Sequence, residues 1–392
     1  MVRQRPSVGY CLNVFPDETL AGLKQTLRRR ASRIRRLACG NRALPVELRL
    51  SQRMVNELRA NSRETESLRD LLRAERLRLV ALNAFVPVSF HQPNLKERVY
   101  LPAWHESDER LRYTCACADL LAALAPPEVV QPSLSVPAGV LKRDFADTPN
   151  IHASVASALR RCAEHCERLE RRAGRRIVVA LEPEPGLTLE RTEEVVRFFH
   201  QYFPQRKGTD AARRYLGINF DICHQLVEFE DPWASVAALE RAGIAVFKVH
   251  VSNAIEIAKP LIAAELLEAL RLRYAESKFL HQVCGVNPRG RLVYFSLDLP
   301  QALAPDGLRA MARAGVERIR VHYHIPLLPA GNMPTTLGAV EAFVRRLAKA
   351  RPSVPLVIET YTWLEQLAAV GARRDLSANI AAEIRYVRGW LR

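Results

Sequence analysis

The chain has 392 residues, of which 48% are hydrophobic and 26% are charged. This length and composition exclude a small module and a disordered chain, and they allow one large α/β domain with a sizeable core. The formal net charge of +16 comes mostly from arginine, and it fits either solvated helix faces or attraction to phosphate, nucleic acid or an anionic membrane surface.

Short apolar runs alternate with long amphipathic stretches, a pattern that predicts parallel strands joined by crossover helices. The runs predicted to be strands are 7–14, 45–51, 77–86, 176–185, 215–224, 244–252, 318–326 and 354–363. Eight parallel strands can close into a (β/α)8 TIM barrel. We assign the run at 132–139 to the loop after the third strand, and we interpret 87–175 and 252–317 as insertions in a single domain spanning 1–392.

An open, doubly wound sheet is the alternative fold. Such a sheet usually carries a Gly-rich phosphate loop after its first strand. The first predicted strand of this chain instead leads into "CLNVFPDE". We therefore expect the barrel.

Eight cysteines are scattered along the chain, and they show neither a CxxC pair nor the paired spacing of a zinc finger. The N-terminal stretch lacks the apolar segment of a signal peptide, and no stretch approaches the roughly 20 apolar residues of a membrane span. These features predict a reduced, cytoplasmic protein without a transmembrane segment.

Polar side chains end five consecutive predicted strands, from the fourth to the eighth. They are Glu182, Asp221, His224, His250, His322, His324 and Glu359. The carboxyl ends of parallel barrel strands form one rim, so these side chains should lie close together. Each alone could be structural, but burying several unpaired carboxylates side by side is costly. A divalent cation would remove that cost, so the sequence predicts a metal site.

Mixed carboxylate and imidazole ligands suit Mn²⁺, Fe²⁺, Co²⁺ or Zn²⁺ better than Ca²⁺. The number of ions stays open. The expected ligands are Glu182, Asp221, His250 and Glu359, with His322 and His324 as further candidates. The expected substrate contacts are His224, His281, His91 and Trp363. The aromatic residues Trp104, Tyr361 and Trp363 fit a wall of the site and core packing equally well.

The rim pattern resembles the xylose-isomerase-like barrel superfamily, which includes sugar isomerases, ketose epimerases and endonuclease IV. The whole chain is similar to its EboE branch of metabolite-traffic proteins, through "YCLNVFPDETL", "LNAFVPVSFHQPNLKERVYLPAW", "SLSVPAG", "LEPEPG", "FDICHQLVEFEDP", "FLHQV", "VHYHIPLL" and "ETYTW". The resemblance implies a cytoplasmic barrel in a pathway that moves a precursor metabolite, with a prenyltransferase-like membrane protein as a partner. That branch often has Gln in place of His250, which strengthens the case for His281 or His324 as a ligand.

Three functions are compatible with the sequence. The leading hypothesis is a divalent-metal-dependent sugar (phosphate) isomerase or epimerase for a small hydroxy-carbonyl metabolite, in which Glu182 and Glu359 remove and return a proton. The second is a protein that binds or carries a metabolite through its metal without turnover. The third is a phosphoesterase similar to endonuclease IV, although the sequence lacks an aromatic and basic loop for an extruded base, so DNA is not expected as a partner.

Overall fold

Eight parallel strands close into a barrel in the computed structural model of the protein, which describes residues 7–146, 150–205, 211–328, 333–365 and 375–392. The barrel strands are β1 (Val8–Cys11), β2 (Leu44–Arg49), β3 (Leu77–Asn83), β4 (Ser133–Pro137), β5 (Val178–Glu182), β6 (Leu216–Asp221), β7 (Val246–Val251) and β12 (Leu356–Ile358). Pairing of β1 with both β2 and β12 closes the barrel. The predicted (β/α)8 TIM barrel is confirmed.

A second, antiparallel sheet lies between β7 and β12 in the sequence. Its strands are β8 (Ile255–Ala258), β9 (Val283–Val286), β10 (Leu292–Ser296) and β11 (Arg318–Val321), in the order β10-β9-β11-β8. The sheet has a separate apolar cluster that includes Ile257, Val283 and Ile319. This sheet brings the residues that follow β11 towards the barrel, where β12 also ends.

Amphipathic helices cover the barrel because each parallel crossover must return the chain to the same end of the sheet. The α-helices among the described residues are α1 (Leu20–Thr26), α2 (Ser32–Cys39), α3 (Gln52–Ala60), α4 (Ser62–Ala74), α5 (Glu109–Leu124), α6 (Lys142–Ala146), α7 (Ile151–Ala173), α8 (Thr192–Tyr202), α9 (Ala211–Tyr215), α10 (Ile222–Val227), α11 (Pro232–Arg241), α12 (Ala264–Arg273), α13 (Leu299–Leu303), α14 (Pro305–Ala314), α15 (Leu337–Ala350) and α16 (Leu376–Gly389). A π-helical stretch, Leu27–Ala31, joins α1 to α2, and 3-10 helices span Leu12–Val14, Lys96–Tyr100 and Pro260–Ile262. Within the described part of the chain, no helix has the length and apolar composition needed to cross a membrane.

Two strand assignments made from the sequence are wrong. The run at 132–139, assigned to a loop, supplies β4, which pairs with β3 and β5 in the barrel. The run at 318–326, assigned to the seventh barrel strand, supplies β11 of the second sheet. A short apolar run carries no information about which partner it pairs with, so hydrophobicity could not separate these two cases. The single-domain organisation stays a prediction.

The barrel strands are buried on both faces, which explains why they read as continuous apolar runs. Every residue of β4, β5 and β6 is buried. Polar exceptions inside the barrel, such as Glu47 and Lys248, contact one another across it. These exceptions matter because a buried charge persists only where other groups compensate it.

Candidate metal centre at the carboxyl end of the barrel

The four residues predicted as the main metal ligands meet at one end of the barrel. Glu182 is the last residue of β5, and Asp221 is the last residue of β6. His250 in β7 pairs with Asp221, and Glu359 directly follows β12. Their ligand atoms all lie within 4.8 Å of one another, and all four residues are buried. We call this group the acidic centre.

The three carboxylates of the acidic centre converge on one ring nitrogen of His250. The Nδ1 atom lies 2.9 Å from Glu182 Oε1, 2.9 Å from Glu359 Oε2 and 3.7 Å from Asp221 Oδ2. Three buried carboxylates repel one another at such separations. The arrangement therefore concentrates negative charge around a single point that a cation can occupy.

The other ring nitrogen of His250 contacts a carboxylate that the sequence analysis missed. His250 Nε2 lies 2.9 Å from Glu47 Oε2, and Lys248 Nζ forms a salt bridge with Glu47 Oε1. Glu47 is 0% exposed and Lys248 is 1% exposed. A carboxylate behind a metal-binding histidine fixes the ring and its tautomer, which leaves the opposite nitrogen as the ligand atom.

Unsatisfied carboxylate oxygens support a divalent cation in the acidic centre. Glu182 Oε2 and Asp221 Oδ2 are buried without a hydrogen-bond partner, and buried polar atoms are rarely left so. Glu359 Oε1 instead accepts hydrogen bonds from Asn13 Nδ2 at 2.9 Å and Asn83 Nδ2 at 3.1 Å. The residues present fit a divalent ion because they offer three carboxylates and one imidazole.

Electrostatics at the acidic centre favour bound positive charge. Burial by itself would lower the pKa of His250, but Glu359, Glu182 and Glu47 outweigh burial and hold that pKa well above its usual range. Burial by itself would raise the pKa of Glu359, but His250 outweighs it, so Glu359 is a carboxylate at neutral pH. A metal ion at Nδ1 would compete with the proton that these carboxylates hold on His250.

Three further histidines form a second group, which we call the histidine cluster. His224 belongs to α10, and His322 and His324 follow β11. The Nε2 atom of His224 lies 3.1 Å from His322 Nε2 and 3.2 Å from His324 Nε2. Asp221 lies between the two groups, because its Oδ1 atom is 3.9 Å from His224 Nε2. His322 and His324 both approach His224, even though β11, the strand that precedes them, belongs to the second sheet and not to the barrel.

The three imidazoles of the cluster differ in their protonation equilibria. Burial lowers the pKa of His322 far below its usual range, and the neighbouring histidines lower it further. Burial also lowers the pKa of His324, although Asp221 and Glu359 oppose the effect. For His224, the carboxylates of Asp221 and Glu184 outweigh burial and raise the pKa.

A cavity with about 560 Å³ of atom-free space, including space open to solvent, gives access to both groups. Its polar part is formed by Asn13, Arg49, Asn83, Glu182, Glu184, His224, His322, His324 and Glu359. Its apolar wall is formed by Phe85, Val86, Phe90, Val99, Phe279, Leu280 and Tyr361. The cavity thus offers metal-binding groups on one side and aromatic surface on the other.

Several residues predicted to contact a substrate do not line this cavity. His281 is 0% exposed, with Nδ1 2.9 Å from His322 O and Nε2 2.8 Å from Glu276 Oε1. His91 Nε2 donates to Asn13 O at 2.7 Å, and Trp363 Nε1 donates to Glu383 Oε2 at 3.0 Å. Of the three aromatic residues considered, Tyr361 lines the cavity, whereas Trp104 and Trp363 belong to the barrel core.

Comparison with solved structures agrees with the barrel geometry. A crystal structure of a xylose isomerase-like TIM-barrel protein from Mycobacterium smegmatis in complex with magnesium matches with a TM-score of 0.52 and 11% identity, over 99% of this chain and 96% of that chain. The chain has the xylose isomerase-like TIM-barrel fold. No protein-family model and no curated protein matches the sequence.

Two further structures are similar to this xylose isomerase-like barrel. A probable 3-DHS dehydratase involved in petrobactin synthesis from Bacillus anthracis matches with a TM-score of 0.48 and 13% identity, over 97% of this chain and 98% of that chain. A xylose isomerase domain containing protein from Salmonella typhimurium matches with a TM-score of 0.46 and 13% identity, over 100% of this chain and 99% of that chain.

The sequence analysis overlooked several residues around the centre of this xylose isomerase-like barrel. Glu47 is a lone acidic residue within the apolar run "PVELRLS", and Lys248 is a lone basic residue within "IAVFKVHVS". Charged residues inside predicted buried strands are a usable signal, because such charges need partners. Glu184 is the second acidic residue of "LEPEP", and Tyr100 Oη donates to it at 2.7 Å.

Proposed function

We propose that the protein is a divalent-metal-dependent enzyme that acts on a small hydroxy-carbonyl metabolite, with the chemistry of an isomerase or epimerase. The convergence of Glu182, Asp221 and Glu359 on His250 Nδ1, at the base of a cavity, is the observation that carries the proposal. The fold agrees with this chemistry but does not establish it, because one fold supports many reactions.

A divalent ion held by Glu182, Asp221, His250 and Glu359 would polarise the carbonyl group and make the neighbouring C–H bond more acidic. Glu359 is a carboxylate at neutral pH, the form that can accept a proton. We assign removal and return of the substrate proton to Glu359 and Glu182, whose oxygens each lie 2.9 Å from the same His250 nitrogen. His224 lines the cavity, and we assign to it the orientation of a substrate hydroxyl group.

The apolar wall of the cavity favours a substrate with an apolar flank over a sugar phosphate. Arg49 is the one described cation that lines the cavity. Its guanidinium forms a salt bridge with Glu18 and donates to the carbonyls of Val86 and Val88. A cation already engaged in this way is poorly available to a phosphate group.

Sequence resemblance and composition also support a proposed branch, partner and cellular location for the protein. We place the protein in the EboE branch of metabolite-traffic proteins, with a prenyltransferase-like membrane protein as its partner. We also propose a cytoplasmic location, because all eight cysteines are free thiols and seven of them are buried.

Metal analysis and hydrogen exchange test the proposal together. We expect at least one divalent transition metal to co-purify with the protein, and Glu359→Gln to remove most of it. The metal-loaded protein should exchange the C–H hydrogens next to the carbonyl of 2-hydroxyacetophenone in D₂O, and hydroxyacetone should react more slowly. Glu182→Gln should slow exchange by about 10²–10⁴-fold, the usual effect of losing a general acid or base.

Glu240→Gln is a suitable control, because Glu240 pairs with Arg351 on the surface, and it should leave metal and exchange unchanged. Tight, metal-dependent binding of these ketones without exchange would identify a binding protein and refute the isomerase. Cleavage of plasmids at abasic sites would instead favour the phosphoesterase. A purified protein that neither contains nor binds a divalent metal would overturn the central claim.

A further inference from the structure

A second cavity lies at the amino end of the barrel, opposite the acidic centre. Its lining includes the last residues of α5 and α7, Leu124 and Ala173, and the first residue of β3, Leu77. It has about 1370 Å³ of atom-free space, including space open to solvent. It shares no lining residue with the cavity at the acidic centre, so it is a separate site.

The charged residues of this second cavity are almost all cationic. Among the described residues, five arginines and one acidic residue line it, and they are Arg69, Arg73, Arg76, Arg78, Arg175 and Glu128. Glu128 is exposed, and one carboxylate cannot neutralise five guanidinium groups. A cleft lined by charges of one sign concentrates counter-ions of the opposite sign. We call this site the arginine cavity.

Two of the five arginines contact backbone carbonyls at its edge. Arg175 Nη2 donates to Ala125 O at 3.0 Å and to Pro126 O at 3.1 Å, just after the end of α5. Arg76 Nη1 donates to Asn41 O at 2.6 Å. Cations near helix carboxyl ends offset the helix dipole, which gives these two residues a structural role. Each contact uses one nitrogen of a group that has five N–H donors.

The other three arginines have no such role. Arg69 and Arg73 lie one turn apart on the exposed face of α4, where like charges destabilise a helix. Arg78 is the second residue of β3, and its Nε atom is buried without a hydrogen-bond partner. Within the described part of the chain, none of these three forms a salt bridge with a carboxylate. Buried donors are rarely left unpaired, so an anion is the group that this site lacks.

We propose that the arginine cavity binds a small metabolite that carries one or two phosphate groups, through Arg69, Arg73 and Arg78. The guanidinium group matches phosphate because it can donate two parallel hydrogen bonds to the phosphate oxygens. A concave site between helix ends suits a compact ligand better than the extended backbone of a nucleic acid. This inference goes beyond the proposed function, because it concerns the opposite end of the barrel and needs no metal.

Calorimetric titration with pyrophosphate tests the site on the full-length protein, stripped of metal with a chelator and held at constant ionic strength. Arg69→Gln/Arg73→Gln should weaken binding by about 10–100-fold, the usual effect of losing hydrogen bonds to a charged group. The same variant should keep its denaturation midpoint, because it removes like-charge repulsion within α4. A lower midpoint with unchanged affinity for pyrophosphate would show a purely structural role and overturn the proposal.

Arg78→Gln provides an independent variant on the barrel and should also weaken binding. Arg53→Gln/Arg59→Gln is the matched control, because it removes two exposed arginines of α3 that do not line the cavity, and it should bind pyrophosphate like the wild type. An equal loss in this control would show that only overall charge matters, which overturns the proposal.

Glu359→Gln separates this proposal from the metal centre. It should lose metal but bind pyrophosphate like the wild type, whereas loss of pyrophosphate binding in this variant alone would place the phosphate at the acidic centre and refute the arginine cavity. Vesicles of equimolar phosphatidylcholine and phosphatidic acid, and polyuridylate RNA, test larger anions. Binding of either without binding of pyrophosphate would indicate an extended anionic partner and overturn the small-molecule site.

Discussion

Glu47→Gln tests whether the buried carboxylate behind His250 prepares this histidine to bind a metal. Glu47 Oε2 lies 2.9 Å from His250 Nε2, so Nε2 keeps its proton when Nδ1 binds a cation. A hydrogen bond to a charged group contributes about 1.5–3 kcal/mol, against about 0.5–1.5 kcal/mol for a neutral one. Loss of that difference, about 1–2 kcal/mol, corresponds to roughly 5–30-fold in metal affinity. This overlaps the lower part of the roughly 10–100-fold loss seen when such partners are removed. We expect a loss of roughly 5–30-fold in the affinity for zinc.

The same substitution affects stability through Lys248. Lys248 is 1% exposed and forms a salt bridge with Glu47. Removal of one partner of a buried ion pair typically costs about 3–5 kcal/mol, because the other charge stays buried without compensation. The double variant Glu47→Gln/Lys248→Met removes both charges. It should recover most of the lost stability while keeping the reduced metal affinity.

Competition between the protein and a chromophoric zinc chelator measures the affinity of each variant. Glu240→Gln, which breaks a surface ion pair with Arg351, is the control and should bind zinc like the wild type. Chemical denaturation of the same samples separates stability from affinity. If the folded double variant bound zinc as tightly as the wild type, the proposed action of Glu47 through His250 would be refuted.

Two further predictions concern the stability of the barrel. In Gly217→Ala, the new Cβ would lie 2.5 Å from Ala245 O and 2.5 Å from a ring carbon of Phe247, and we expect the unfolding free energy to fall by about 1–3 kcal/mol. Gly338→Ala has open space around its Cβ, so it should lose no stability, and equal denaturation midpoints for the two variants would contradict this reasoning. Burial raises the pKa of Glu383 to about 7 from the ordinary 4.5. Between these values the unfolded chain ionises while the folded chain keeps its proton, so the unfolding free energy should fall by about 3 kcal/mol from pH 4.5 to 7. Glu383→Gln should reduce that slope, and identical slopes in the two proteins would contradict the assignment.

Much of the candidate centre was predictable because parallel strands share one rim. Glu182 and Asp221 stand at the end of apolar runs in the sequence, and each is the last residue of a barrel strand. Alternation of strands and helices indicated the barrel, and a common direction for all its strands then brings their ends together. This inference requires no knowledge of which strand pairs with which.

Residues whose role depends on distant partners could not be placed in this way. Glu47 meets Lys248 and His250 across the barrel, 201 and 203 residues away in the chain. The sequence shows that Glu47 is a charge in an apolar run, but it does not show what compensates that charge. Closure of the barrel determines which groups compensate the charge of Glu47, because closure determines which side chains face one another inside the barrel.

The histidine cluster also separates what the sequence predicts from what only the tertiary structure determines. The alternation of His322 and His324 predicts that both side chains face one way, and in the structure both rings approach His224. Assignment of their strand to the barrel was nevertheless wrong, since β11 pairs with β8 and β9 in the second sheet. Composition and periodicity determined the barrel, the buried strands and the polar residues at their ends. Only the tertiary structure decided which strands pair and which buried charges and imidazoles meet, because those contacts depend on chain closure over hundreds of residues.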